Sequence, residues 1–349
     1  MVTKNFIRRL RTLFEFYREQ FNKNFTMRQN QLYVEYGTEC TCDCPFCRNK
    51  TEKASCVGTQ LQKVDKVILK KHEYCKRIIF GGGEPLLHID RIVGLIKQLK
   101  KPIPEFDIEE MQFFSATTSF HLVTNGSRDL YMSTLYTKDF GFKSLTEWFE
   151  YNARLNKSVS CSNCHYIDKI IISRHHYEDQ KNKELFGTNT DLLTCDDLAN
   201  LCVGQKRKIQ LYCVCQVGGI ESEEEIFNYI NWAINLGYRN VLFSNLDGML
   251  TPSEVYQKKN VNSRLLEDVF SKLKPWHNKE FDKIREIYTS SGYRTRTIYI
   301  STNKFTGDSG DDMDIIRISF KEWMDCPKCF SKDHNYNFEH TVHADGSVK

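Results

Sequence analysis

Short apolar runs recur along this chain, each closed by a turn residue and most followed by a stretch of helical periodicity. Residues 31–36 alternate around Leu32, Val34 and Tyr36, which predicts a strand. Further strands are predicted at 77–80, 120–123, 169–173, 209–217 and 240–244, where Ile78-Ile79-Phe80 and Ile170-Ile171-Ile172 are continuously apolar. Between them lie helical patterns at 61–70, 89–99 and 223–236; in the second, Ile89, Ile92, Ile96 and Leu99 fall on one side. Strands that are apolar on both faces and alternate with helices predict a parallel sheet. Six such units are too few for an eight-stranded barrel. The expected fold is therefore α/β, an open partial (β/α)6 TIM-like barrel.

The flanks depart from this rhythm. Residues 5–24 place Phe6, Leu10, Leu13, Phe14, Tyr17 and Phe21 three and four apart, which predicts one N-terminal helix with a sticky face. Residues 127–165 form an aromatic-rich insertion. After residue 250 come a helical pattern at 255–273, strand-like runs at 295–300 and 315–320, and a hairpin over 338–348 turning at Ala344-Asp345-Gly346. The expected organisation is an N-terminal helical segment (1–29), a core (30–250, with its insertion at 127–165) and a C-terminal α+β extension (251–349).

Net charge is only +4, and basic residues are interleaved with acids, so nothing points to nucleic acid. No run reaches eighteen apolar residues, and Met1–Leu10 lack the apolar core of a signal peptide. A soluble cytoplasmic protein with no membrane contact is expected. Its fourteen cysteines then read as metal ligands and buried thiols rather than a disulfide ladder.

Three of them, Cys40, Cys44 and Cys47, stand in C-x3-C-x2-C spacing directly after the first strand. Three thiolates hold three irons of a cubane and leave the fourth open, whereas a structural zinc site is closed by four ligands. The run Gly81-Gly82-Gly83-Glu84-Pro85 follows the second strand, and glycines there let the backbone approach a ligand closely. Together these two elements resemble the radical S-adenosylmethionine (AdoMet) superfamily. The resemblance implies the same partial barrel, a [4Fe-4S] cluster on Cys40, Cys44 and Cys47, and AdoMet as second cofactor. It implies that Phe46 shields the cluster and flanks the adenine. Gly81, Gly82 and Gly83 would pair with the methionine amino group. Glu84 would accept from that group or fix the loop. Asn125, in a Thr-Asn-Gly turn, and Ser173 and Arg174, at the end of the fourth strand, would complete the cofactor contacts.

His175, Ser244, Asn245 and Asp247 stand at strand ends where a substrate would lie. Cys213 and Cys215 share a strand face and read as core thiols or pocket residues. Cys161-x2-Cys164 and Cys326-x2-Cys329 have knuckle spacing. Together they would make one tetrathiolate site for zinc or an auxiliary cluster; otherwise they are two unrelated pairs. The implied activity is reductive AdoMet cleavage to a radical that takes hydrogen from a peptide or peptide-like substrate, with a flavodoxin or ferredoxin as reductant. A small metabolite is the alternative substrate, and a non-catalytic iron–sulfur scaffold the alternative class.

Overall fold

The computed structural model describes residues 30–47, 60–71, 75–99, 118–132, 167–201, 206, 208–246, 251–262, 264–289, 293–306, 314–323, 336–337 and 339–348. The expected N-terminal helix, most of the 127–165 insertion, Asp247 and the cysteine pairs 161/164 and 326/329 lie outside them.

Six strands follow one another in space as in sequence. They are β1 (Asn30–Glu35), β2 (Cys75–Gly81), β3 (Ser119–Thr124), β4 (Lys169–Ser173), β5 (Ile209–Val214) and β6 (Asn240–Ser244), each parallel to the next. Parallel neighbours require crossovers, and among the described residues helices stand in those after β1, β2, β4 and β5. They are α1 (Leu61–Lys71), α2 (Ile89–Leu99), α3 (Asp179–Phe186), α4 (Cys195–Asn200) and α5 (Glu223–Asn235). Ser222 starts α5 with a reciprocal capping box to Glu225. Gly187 ends α3 in the left-handed region.

Register sorts the strand residues into two faces. Leu32, Ile78, Phe120, Ile170, Val241 and Ile318 share one face and are buried in the main core. On this face Tyr229 of α5 meets Phe243 edge to face, with ring centroids 5.3 Å apart. The other face carries Tyr33, His121, Lys169, Gln210 and Tyr212, and it lines the concave side of the curled sheet.

The C-terminal segment widens this same sheet on both edges. After α6 (Ser253–Lys259) and α7 (Leu265–Leu273), β7 (Arg285–Thr289), β8 (Tyr293–Ser301) and β9 (Ile315–Trp323) form an antiparallel trio. β9 joins β6 in parallel, and β10 (Tyr336–Asn337) pairs with β7. β11 (Glu339–Val342) crosses to the opposite edge and lies parallel to β1, giving eleven strands among the described residues. α7 is tied to β8 and β9 by charge. Arg296 donates to both Glu322 oxygens at 3.0 and 2.9 Å and to Glu267 at 2.8 Å, under the ring of Phe270.

Three details differ from the sequence expectation. The helix expected over 255–273 is two, because Asn260 leaves α6 extended and Asn262 Oδ1 accepts from Arg264 N at 3.0 Å, an Asx turn that competes with helix. β7 was not expected, since Arg285-Glu286-Ile287-Tyr288-Thr289 offers only one aliphatic residue. The expected C-terminal turn forms, with Gly346 N donating to His343 O at 2.8 Å, but the strand before it pairs mainly with β1. No helix among the described residues is long and apolar enough to cross a membrane.

Candidate active site

Every predicted site residue that the structure describes lies at the C-terminal ends of β1–β6 or in the loops that leave them. The cysteine loop leaves β1 beside the glycine turn that leaves β2. Backbone bonds extend the strand pairing between them: Tyr36 N to Gly81 O at 2.7 Å, Gly83 N to Gly37 O at 3.0 Å and Glu84 N to Glu39 O at 2.7 Å. This approach excludes side chains. A Cβ on Gly83 would stand 2.0 Å from Glu39 O, and one on Gly82, whose φ is +106°, 2.7 Å from Gly37 O. Both glycines stay partly exposed, while Gly82 N donates to the Tyr33 hydroxyl at 3.3 Å and Gly83 N is taken by Gly37 O.

Glu84 is fully buried and faces protein. Its Oε1 accepts from Leu86 N at 3.0 Å, capping the short 3-10 turn Pro85–His88. Its Oε2 accepts from Thr124 Oγ1 at 2.9 Å and Asn125 N at 2.8 Å. The carboxylate therefore ties the β2 turn to the end of β3. From there Asn125 Nδ2 donates to Thr41 Oγ1 at 2.8 Å and Cys42 Sγ at 3.1 Å, and lies 3.6 Å from Cys40 Sγ. Cys42 N also donates to Cys40 Sγ at 3.4 Å.

A second set of anchors was not read from the sequence. Thr188 and Thr190, just past α3, both donate to Thr41 O, at 3.0 and 2.9 Å. Nothing local in the sequence signals these contacts, because they join residues 147 and 149 positions apart. Cys47 N donates to Cys44 O at 3.2 Å, a turn that gathers the last two cysteines. Cys40 is exposed, and Cys44 and Cys47 are half-buried.

This donor set suits an iron–sulfur cluster. It offers soft thiols on a loop held at both ends, and N–H groups directed at the Cys40 sulfur. Among the described residues no three Cys, His, Asp or Glu side chains converge on one mononuclear metal position.

At the end of β4 the chain divides its polar groups between inside and outside. Ser173 is half-buried at the strand end. Arg174 is buried, and its guanidinium bonds His176 O at 2.7 Å, Leu193 O at 2.8 Å, Tyr177 O at 3.2 Å and Asp179 Oδ1 at 2.5 Å. The structure thus directs Arg174 into the turn rather than toward the cysteine loop. His175 meets Phe46 edge to face at 5.2 Å and stacks on Phe186 at 4.6 Å. Val214 N donates to its Nδ1 at 3.1 Å, which leaves the proton on Nε2. Burial, then the Arg174 charge, lowers its pKa to about 3, so the ring is neutral. His176 turns the other way and accepts from Glu178 N at 2.9 Å.

Ser244, at the end of β6, is buried and shares a 2.8 Å hydrogen bond with Tyr212. Asn245 follows, half-buried. Cys213 and Cys215 are fully buried thiols of the core.

Residues 29–135 match the family model of the 4Fe-4S single cluster domain. No curated protein matches the sequence. Among solved structures, Streptococcus suis SuiB bound to precursor peptide SuiA aligns at TM-score 0.53 and 12% identity, over 95% of this chain and 61% of that one. SuiB bound to S-adenosylmethionine aligns at 0.52 and 13%, over 100% of this chain and 66% of that one. This chain thus spans less than two thirds of the length of these structures, and at such identity the likeness is one of fold.

Burial raises the Glu84 carboxyl from its ordinary 4.5 to about 7, against the pull of the Asn125, Leu86 and Thr124 bonds. Glu84 therefore holds its proton more tightly in the folded chain than in the unfolded one. Its contribution to stability is full below about pH 4.5 and is lost as pH rises through about 7, a change of roughly 3 kcal/mol at most. Urea unfolding of Glu84→Gln should show a flatter dependence on pH across this window than the unsubstituted protein. An identical slope would mean that another group titrates there.

Proposed function

We propose that this chain, which has the fold and the cysteine loop of the radical S-adenosylmethionine enzymes, holds a [4Fe-4S] cluster through Cys40, Cys44 and Cys47 and cleaves AdoMet reductively to modify a peptide or peptide-like substrate. One observation carries the reading: the three-cysteine loop and the glycine turn stand side by side, fixed to each other by backbone bonds and by Glu84. A cluster held by Cys40, Cys44 and Cys47 would, when reduced, supply one electron for cleavage of AdoMet to methionine and a radical able to take a hydrogen atom from the substrate.

The chain's own residues position and exclude. The turn at Gly81, Gly82 and Gly83 presents backbone to the methionine end of AdoMet, and Glu84 fixes that turn from behind. Asn125 holds the cysteine loop against β3. Phe46, against His175, shields the cluster side and flanks the adenine. Ser173 offers a hydroxyl to the cofactor, and Arg174 acts by fixing the turn that carries His175. The neutral His175 Nε2–H, with Ser244, Asn245 and Asp247, orients the substrate. A peptide substrate is supported by SuiB, a structure of the same fold bound to a precursor peptide. Residues 30–250 serve as the catalytic core, and 251–349 as an extension that closes both sheet edges. Cys161, Cys164, Cys326 and Cys329 join in one tetrathiolate site for structural zinc. A flavodoxin or ferredoxin supplies the electron.

Replacing Cys40, Cys44 and Cys47 together by Ala should abolish release of 5′-deoxyadenosine under strong reductant while leaving about one zinc per chain, as expected of a four-thiolate site. Undiminished release would refute the cluster assignment. Residual iron and sulfide in place of zinc would make the second site an auxiliary cluster.

The substrate class is read by incubating the reconstituted protein with AdoMet and deuterated candidates, then weighing the 5′-deoxyadenosine. Deuterium should arrive from a peptide. Transfer from a free nucleoside, sugar or amino acid, with none from any peptide, would reject the peptide reading.

A further inference from the structure

β11 lies along the edge of β1, and the residues that follow it grip the chain on both sides of the cysteine loop. Val34 and Val342 form the last register pair, and Glu35 and His343 come one step further on. Side chains alternate along a strand, so both fall on the face of Tyr33, the concave one. There His343 Nδ1 lies 2.8 Å from Glu35 Oε2, and both residues are buried. A carboxylate oxygen only accepts, so Nδ1 carries the proton that joins them. The His343 Nε2 is buried with no hydrogen-bond partner among the described residues, so the ring acts through Nδ1. Next in the chain, Ala344 O accepts from Gln60 N at 2.7 Å, at the start of α1. Gly346 packs so closely on α1 that a Cβ there would stand 2.6 Å from the Lys63 Cβ. Glu35 precedes the cysteine loop and Gln60 follows it, so one short segment holds both flanks.

The glycine turn is moulded on the same stretch of β1 and its loop. Gly82 N donates to the Tyr33 hydroxyl at 3.3 Å, Gly83 N to Gly37 O at 3.0 Å and Glu84 N to Glu39 O at 2.7 Å. A Cβ on Gly82 would stand 2.9 Å from the Glu35 Cα, so the turn also packs directly on the Glu35 backbone. β2 holds this stretch from one side and β11 from the other. The His343–Glu35 bond carries the hold of β11 one residue past its last strand pair. A buried carboxylate that loses a donor is costly and moves toward water or another donor. Loss of the His343 donor therefore shifts Glu35, and with it the backbone against which Gly82 packs.

We propose that His343 is a positioning residue for the cofactor end of the barrel: by holding Glu35 it fixes the part of β1 on which the glycine turn is shaped. This rests on the reading of that turn as a contact of AdoMet. The role belongs to the Nδ1–H donor rather than to the bulk of the ring. An asparagine at 343 offers an amide N–H at nearly the reach of Nδ1, whereas an alanine offers no donor. The two substitutions therefore separate the hydrogen bond from the packing.

Amide hydrogen exchange of the full chain reads the turn directly, with no cofactor needed. In His343→Ala the Gly83 and Glu84 amides should exchange about tenfold faster, as expected for the loss of one buried hydrogen bond, while the amides of β5 keep their rates. His343→Asn should recover most of the lost protection. After iron reconstitution, His343→Ala should keep its [4Fe-4S] resonance and need about tenfold more AdoMet for half of the spectral change, and His343→Asn should need less than His343→Ala. Equal exchange at the turn in all three proteins overturns the proposal. So does an equal rise in β5, which would make His343 a general stabiliser, and so do alanine and asparagine variants that behave alike. An unsubstituted protein whose resonance ignores AdoMet would instead reject the proposed function, and the exchange rates would still decide whether His343 fixes the turn.

Discussion

The Glu84 carboxylate accepts hydrogen bonds from Leu86 N, Thr124 Oγ1 and Asn125 N in a place closed to solvent, and much of the site geometry depends on those bonds. A buried carboxylate is costly unless its oxygens are satisfied, so these donors are held in place as firmly as they hold it. One bond fixes the turn after β2. The other two fix the end of β3, from which Asn125 reaches into the cysteine loop. The glycine turn and the end of β3, about forty residues apart in sequence, are thereby set in one geometry. Thr188 and Thr190 complete the arrangement from the far side by holding Thr41 O.

Much of this architecture is legible in the sequence because its causes are local. β4, β6 and α2 begin and end where their apolar periodicity does. Cys40, Cys44, Cys47 and the glycine run are legible because their spacing is a local pattern in the sequence. Elements set by distant contacts are not legible. β11 is expected as one arm of the hairpin over 338–348, but its pairing with the open edge of β1 is revealed by no local pattern. The threonine anchors depend on where the end of α3 meets the cysteine loop. Arg174, at a strand end, reads as a ligand contact, yet its donors go to Leu193 and Asp179, both brought near only by the fold. Glu84 admits two roles in sequence, and its complete burial favours the one that fixes the loop.

The curled sheet also separates two kinds of chemistry along its strands. The C-terminal ends collect thiols, exposed backbone and neutral polar groups such as His175 and Ser244. The N-terminal ends carry Arg77, Lys169 and Arg317 on the same face. The same alternation of side chains builds both: one face supplies the core under the helices, and the other mixes polar residues with Ile79 and Ile171.

The central claim is that Glu84 holds the glycine turn where a cofactor on the cysteine loop can use it. Electron paramagnetic resonance of the reduced, iron-reconstituted protein, with and without AdoMet, tests this most directly. The unsubstituted protein should give a [4Fe-4S] signal that changes on adding AdoMet. Glu84→Gln should keep the signal and lose most of that change, because an amide cannot accept from all three donors. A full response to AdoMet in Glu84→Gln, or none in the unsubstituted protein, would contradict the account.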